Sequence, residues 1–197
     1  NIFPRERGDL ISNMYLKCSL PALPSGYYYT ELTGRAIIQK AEFLVDGETY
    51  ESITDDWYVI NDQLTLDADE KLGMYQLISN GTPENTNVTA TSQLSLIIPL
   101  EFFFCRRYTH MRENKKPYFP MCALTNSTIT VRFTFSKASW ITNAPISVDL
   151  IKPQLLLEEI TLSPEERLFY RSQPIKLRVP RVWKEASQTF SGGIARL

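Results

Sequence analysis

His110 is the only histidine in the 197 residues, and histidine is the side chain whose ordinary pKa suits acid–base work at neutral pH. A catalytic triad or a histidine-based metal site would have to be built on that one residue. It stands in a polar loop between Thr109 and Met111, with Arg106, Arg107, Arg112, Lys115 and Lys116 close by in sequence. Adjacent carboxylates occur at Asp55-Asp56, Glu158-Glu159 and Glu165-Glu166. Neighbours in a strand point to opposite faces, so Glu158 and Glu159 cannot act there as one acid/base pair. The other two pairs sit at helix starts, where the helix dipole favours negative charge. Ser191-Gly192-Gly193 lacks the following Lys and Ser/Thr of a phosphate loop. Cys18, Cys105 and Cys122 are odd in number and include no C-x-x-C pair, so they encode neither a disulfide framework nor a zinc cage and read as buried, reduced thiols. The expectation is a chain without catalytic, cofactor-binding or metal-ligating residues, needing no cofactor and performing no catalysis.

Charge narrows the partners. With 21 Lys+Arg against 22 Asp+Glu there is no broad cationic field, which argues against duplex binding as the main activity. The stretch 106–116, with Tyr108 and Tyr118 interleaved, could meet phosphate or an acidic partner surface, and a second basic set comprises Lys176, Arg178, Arg181 and Lys184. No stretch approaches the ~18 consecutive apolar residues of a membrane span, and the start lacks the apolar centre of a signal peptide. Asn80, Asn87 and Asn126 head glycosylation triplets, which a chain rich in Asn, Ser and Thr yields by chance. They are expected to be unmodified.

Period-two alternation dominates the elements that would carry these residues. Residues 10–20 place Leu10, Met14, Leu16, Cys18 and Leu20 on one face. Residues 36–45 form a second run, and Asp46-Gly47 gives a hairpin turn because both positions tolerate positive φ. Residues 48–53 pair back. After Thr54 and Asp55, Trp57, Ile60 and Leu64 fall at helical spacing. Residues 67–87 read as a long polar excursion. Leu94, Leu96 and Ile98 alternate into Pro99-Leu100, and Phe102-Phe103-Phe104 reads as a strand covered on both sides. Residues 129–135 give the cleanest strand, 146–160 one or two more interrupted at Pro153, and 175–179 a last alternation. Ser163-Pro164-Glu165-Glu166 is the strong helix start. The fold class is all-β: an antiparallel eight-stranded jelly-roll β-sandwich with short helices in its connecting loops. Asp46 and Gly47 are assigned to its turn, with Trp57, Pro99, Leu100, Phe102, Phe104 and Phe133 as structural core.

Four segments in this order carry a resemblance. They are residues 7–11 (RGDLI); residues 41–47 (AEFLVDG) leading through Tyr50 to Asp56-Trp57; residues 97–106 (IIPLEFFFCR) preceding Pro120-Met121-Cys122-Ala123-Leu124; and residues 155–159 (LLLEE) running into Ser163-Pro164-Glu165-Glu166-Arg167. Together they are similar to the major capsid proteins of nucleocytoplasmic large DNA viruses, the double jelly-roll family. The resemblance covers the N-terminal jelly roll. It implies residues 1–9 as an N-terminal arm, 10–183 as the jelly roll, and 184–197 as a linker toward a second jelly roll.

It also implies a structural protein of the virion, assembled in the host cytoplasm. Homotrimeric capsomers would meet neighbouring capsomers and minor or penton proteins, with no specific nucleic acid and at most indirect contact with an internal membrane. The assembly-interface candidates are Arg7, Arg106, Arg107, Arg112, Lys115, Lys116 and Arg178. Two alternatives stay open: a single jelly-roll penton or minor capsid protein, and a carbohydrate-binding β-sandwich using Tyr27-Tyr28-Tyr29.

Overall fold

The structure is a computed structural model that describes residues 8–106, 116–124, 126–177, 179–182 and 184. Strand β1 (Leu10–Leu20) follows its alternation, with Leu10, Met14, Leu16, Cys18 and Leu20 all buried. It is the axis of one sheet, pairing antiparallel along its length with β7 (Ile151–Ile160). Its other edge takes β4 (Leu94–Pro99) over Tyr15–Leu20 and the two-residue β5 (Phe119–Pro120) at Leu10 and Ile11. The second sheet has β2 (Ile38–Val45) between β3 (Glu48–Thr54) and β6 (Ile129–Phe135), all antiparallel. The β2–β3 hairpin turns through Asp46 and Gly47 at φ 53° and 86°, the left-handed pair expected of this dipeptide.

Between the sheets lies one apolar cluster drawn from both. Phe43 of β2 is fully buried, and its ring meets those of Phe102, Phe104 and Phe119 at centroid distances of 5.6, 5.1 and 4.9 Å. These tilted and edge-to-face arrangements match the positive rim of one ring to the negative face of another.

The described residues hold seven strands, not the expected eight. Two readings account for the difference. Phe102-Phe103-Phe104 is buried as expected but forms a turn, because the Phe102 carbonyl accepts from both Cys105 N and Arg106 N at 2.7 and 3.0 Å. Residues 175–177 and 179 belong to no strand. After β5 the chain coils into a short 3-10 turn, Met121–Ala123. Pro153, in contrast, does not split β7. The chain absorbs it by a register shift, with Lys152 at φ 48°, since a proline has no N–H to give the ladder.

The connections contain more helix than expected. The run beginning at residue 36 opens as α1 (Thr33–Ile37), and only then becomes β2. Helix α2 (Asp55–Thr65) lies where helical spacing placed one. However, it buries Tyr58, Asn61 and Asp62 and leaves Ile60 and Leu64 exposed. The polar excursion at 67–87 contains α3 (Ala68–Ser79), started by a reciprocal capping box in which Asp67 Oδ1 accepts from Glu70 N at 2.9 Å. It ends at Asn80 with φ 51°. A one-turn helix, α4 (Ala138–Ile141), follows β6, and α5 (Pro164–Ser172) starts on the Ser163 box as expected.

Gly34 of α1 packs directly on α3. A Cβ there would sit 2.8 Å from Ile78 Cβ and 3.0 Å from the Ile78 carbonyl oxygen. Gly34→Ala is therefore expected to destabilise the domain by about 1–3 kcal/mol through overpacking, where helix propensity alone would predict a gain. Urea denaturation of the two proteins checks the sign.

Candidate functional site

Charged side chains, most of them left unassigned by the sequence, form three ties between segments remote in the chain, each centred on a buried charge. Arg35 of α1, 1% exposed, is the centre of the first. Its Nε and Nη2 donate to the two Asp62 carboxylate oxygens at 2.8 Å each, and Nη1 donates to the Pro99 carbonyl at 2.7 Å. Glu101 Oε1 lies 3.5 Å from Nη2, and the guanidinium carbon sits 4.8 Å over the Tyr58 ring. Two helices and the end of β4 thus converge on one planar group with five donors. Burial pushes the Glu101 carboxyl above its ordinary pKa, against the pull of Arg35. Burial likewise raises the Tyr58 hydroxyl.

The second tie joins β3, the turn after β4 and the segment beyond α5. Glu51, 4% exposed, accepts from Phe103 N at 2.6 Å through Oε2 and pairs with Arg106 through Oε1. Arg106 Nη2 also donates to the Pro180 carbonyl at 3.2 Å. Lys184 pairs with Asp56 near the start of α2. The third tie fixes the start of β1. Asp9 Oδ2 accepts from Leu162 N and from Arg167 Nη2, both at 2.8 Å.

The Arg167 hydrogen bond holds the Asp9 carboxyl below its ordinary pKa, more than burial raises it. A group with a lowered folded pKa stabilises the fold above its unfolded value and loses that contribution as pH falls through the folded one. Asp9→Asn is therefore expected to lower the unfolding midpoint at neutral pH. The gap from the parent protein should close as pH drops from ~5 toward ~2. Thermal unfolding at several pH values measures it, and a gap independent of pH would contradict this assignment.

The sequence candidates fall as follows. Asp46 and Gly47 form the hairpin turn, and Asp46 Oδ1 accepts from Thr128 N at 2.7 Å, tying the turn to the approach to β6. Trp57, in the first turn of α2, is half-buried against the core. The Pro99 carbonyl receives Arg35, while Leu100 is buried and donates through N to the Met14 carbonyl at 2.9 Å. Phe102 and Phe104 sit at 0% exposure, and Phe133 is half-buried. Arg106 was expected at an assembly surface, and its side chain is instead 4% exposed against Glu51. Lys116 is half-buried and bonded to the Asn13 side chain. Arg7, Arg107, Arg112, Lys115 and Arg178 lie outside the described residues, as does His110.

All three cysteines are free and buried, and burial pushes the Cys18 thiol up to about 11. Thiols raised in this way carry little thiolate and react slowly. Among the described residues no group of three or more His, Cys, Asp or Glu is placed to hold a metal ion. The three tyrosines do not form one sugar-stacking platform. Tyr29 is fully buried and donates to the Pro21 carbonyl at 2.7 Å, and Tyr27 packs on the core, leaving Tyr28 as the exposed ring.

The sequence reading missed Arg35, Asp62, Glu101, Glu51, Asp9 and Arg167. One signal was available for Glu51: it shares a strand face with Ile53, two residues on, and Ile53 points inward.

Two antiparallel sheets over one aromatic core, tied by buried ion pairs, define a sandwich built to hold shape. The chain matches the family described as "Major capsid protein N-terminus" over residues 4–155. It belongs to that family, as the four segments indicated. It is 27% identical over 165 residues to the major capsid protein of Pyramimonas orientalis virus, covering 82% of this chain and 39% of that protein. It is also 26% identical over 131 residues to the major capsid protein of Phaeocystis pouchetii virus, covering 51% of this chain and 25% of that one. Among solved structures, VP54 of PBCV-1, fitted into a reconstruction of the virophage Sputnik, superposes with a TM-score of 0.63 at 19% identity over 87% of this chain and 40% of that one. The Faustovirus major capsid protein gives 0.57 at 13% identity, over 86% and 52%. The chain thus spans about 40% of the length of the first relatives it matches.

Proposed function

We propose that this chain is the first jelly roll of a major capsid protein and that its work is assembly rather than catalysis. In this reading residues 1–9 are an arm that Asp9 ties to the body, 10–183 the jelly roll, and 184–197 a linker toward a second one. Three subunits make a pseudo-hexagonal capsomer, and capsomers tile an icosahedral shell together with minor or penton proteins. The particle is assembled in the host cytoplasm. The carrying observation is the family match over 4–155.

The physical arrangement supports the reading. Ion-paired ties stiffen a sandwich whose loops and helices can present surfaces without altering the core. Large apolar side chains stand exposed on three helices: Ile60 and Leu64 on α2, Leu72 on α3, Leu168 and Phe169 on α5. Where such side chains adjoin one another on the surface they favour contact with another molecule. The basic candidates Arg7, Arg107, Arg112, Lys115, Lys116 and Arg178 would add charge complementarity to neighbouring subunits.

Light scattering on the protein expressed from its complete open reading frame tests this. Trimers are expected. A species that stays monomeric at assembly concentrations would refute the capsomer reading, and pentamers would favour the single jelly-roll alternative.

A further inference from the structure

A cavity of about 440 Å³ opens between the wall of the sandwich, at Val45, Phe103, Phe119 and Leu124, and the segment that follows α5, at Ile175 and Leu177. Well-packed interiors leave few voids larger than a water molecule, whereas this volume lies in the range of about 300–1,000 Å³ typical of small-ligand sites. The covering segment is held at its far end by polar ties, from Arg106 to the Pro180 carbonyl and from Lys184 to Asp56. Its position therefore does not depend on its apolar side chains filling the space beneath it.

The lining has a definite charge. Arg171 and Arg181 both line the cavity, no acidic residue is among its described lining residues, and the buried Glu51 carboxyl lies within the field of Arg181. Arg171 is steadied by its Nε, which donates to the Cys122 carbonyl at 3.1 Å. A guanidinium has five donors, so this bond leaves the fork able to engage a carboxylate.

We infer that this cavity binds a single-chain amphiphile with a carboxylate head, its alkyl chain against the apolar walls and its carboxylate on Arg171 and Arg181. An apolar interior with a few polar groups is the usual composition of a small-molecule site, and an arginine in its wall favours an acid over an alcohol of the same length. The inference is independent of how the chain assembles.

Calorimetric titration of the full chain with dodecanoate, kept below its micelle concentration, is the test. One saturable site is expected. Affinity should tighten about fourfold per methylene from octanoate to decanoate, as burial of each added CH₂ predicts. Arg171→Gln combined with Arg181→Gln should weaken dodecanoate at least about tenfold and leave dodecanol unchanged. Ala123→Leu and Leu177→Trp, each introduced to fill the cavity, should abolish binding of both compounds. Near-UV circular dichroism establishes that each variant is folded, and if Ala123→Leu is not, Leu177→Trp decides alone. The proposal is overturned by the absence of a saturable site, by dodecanol binding the parent protein as tightly as dodecanoate, or by undiminished binding in the folded filling variant.

Discussion

Replacing Arg35 with methionine is expected to cost about 3–5 kcal/mol of stability, the range for removing one partner of a buried ion pair. The magnitude comes from what the substitution leaves behind. Asp62 would keep a carboxylate 8% exposed without its bidentate partner, and the Pro99 carbonyl would lose its 2.7 Å donor. Glu101, already pushed above its ordinary pKa by burial, would lose the charge that opposes that push. A group with a raised folded pKa destabilises the fold increasingly as pH rises through that value, and the effect vanishes below the unfolded pKa.

The deficit of Arg35→Met should therefore be largest near pH ~7 and shrink toward pH ~4, as the Glu101 carboxyl takes up its proton. Urea denaturation at the two pH values measures this. A loss below about 1 kcal/mol at neutral pH, the scale of an exposed ion pair, would mean that water reaches the cluster and the tie is weak. Because the cluster joins α1, α2 and the end of β4, hydrogen exchange in α2 should rise in the same variant.

Phe43→Ala is expected to cost about 3–5 kcal/mol, as deletion of a fully buried aromatic ring does. Phe43 lies at 0% exposure in the middle of β2, between β3 and β6, with four phenylalanine rings at centroid distances from 4.9 to 6.3 Å. The neighbours are held by the hairpin ladder on one side and the 102–105 turn on the other, so they cannot close the void. Phe135→Ala provides the internal comparison. That ring is 40% exposed and stacks on Phe133 at 5.9 Å, and its loss should cost under about 1 kcal/mol. Similar losses in the two variants would show that the core is not centred on Phe43.

Much of the scaffold was written locally. The β1 alternation, the Asp46-Gly47 turn and the Ser163 capping box each lie within a few neighbouring residues, and each formed where expected. The misses have equally local explanations. The Asp67–Glu70 capping box has the same form as the Ser163 box, but it begins a helix whose apolar residues are not gathered on one face, so no amphipathic pattern registers. Three consecutive phenylalanines look like a buried strand by composition, yet hydrogen bonds from Cys105 and Arg106 back to Phe102 curl them into a turn. In α2 the face with Ile60 and Leu64 faces outward, because Arg35 draws Asp62 and Tyr58 inward.

The sequence by itself determined the antiparallel sandwich, its hairpin and its capsid-family membership, because alternation, turn chemistry and motif order are properties of neighbouring residues. Tertiary structure alone decided which charges are buried. Arg35 meets Asp62 and Glu101, Glu51 meets Arg106, and Asp9 meets Arg167 across separations of 27 to 158 residues. No local pattern encodes such partners, since a buried charge is tolerated only where the completed fold supplies its counter-charge and hydrogen bonds.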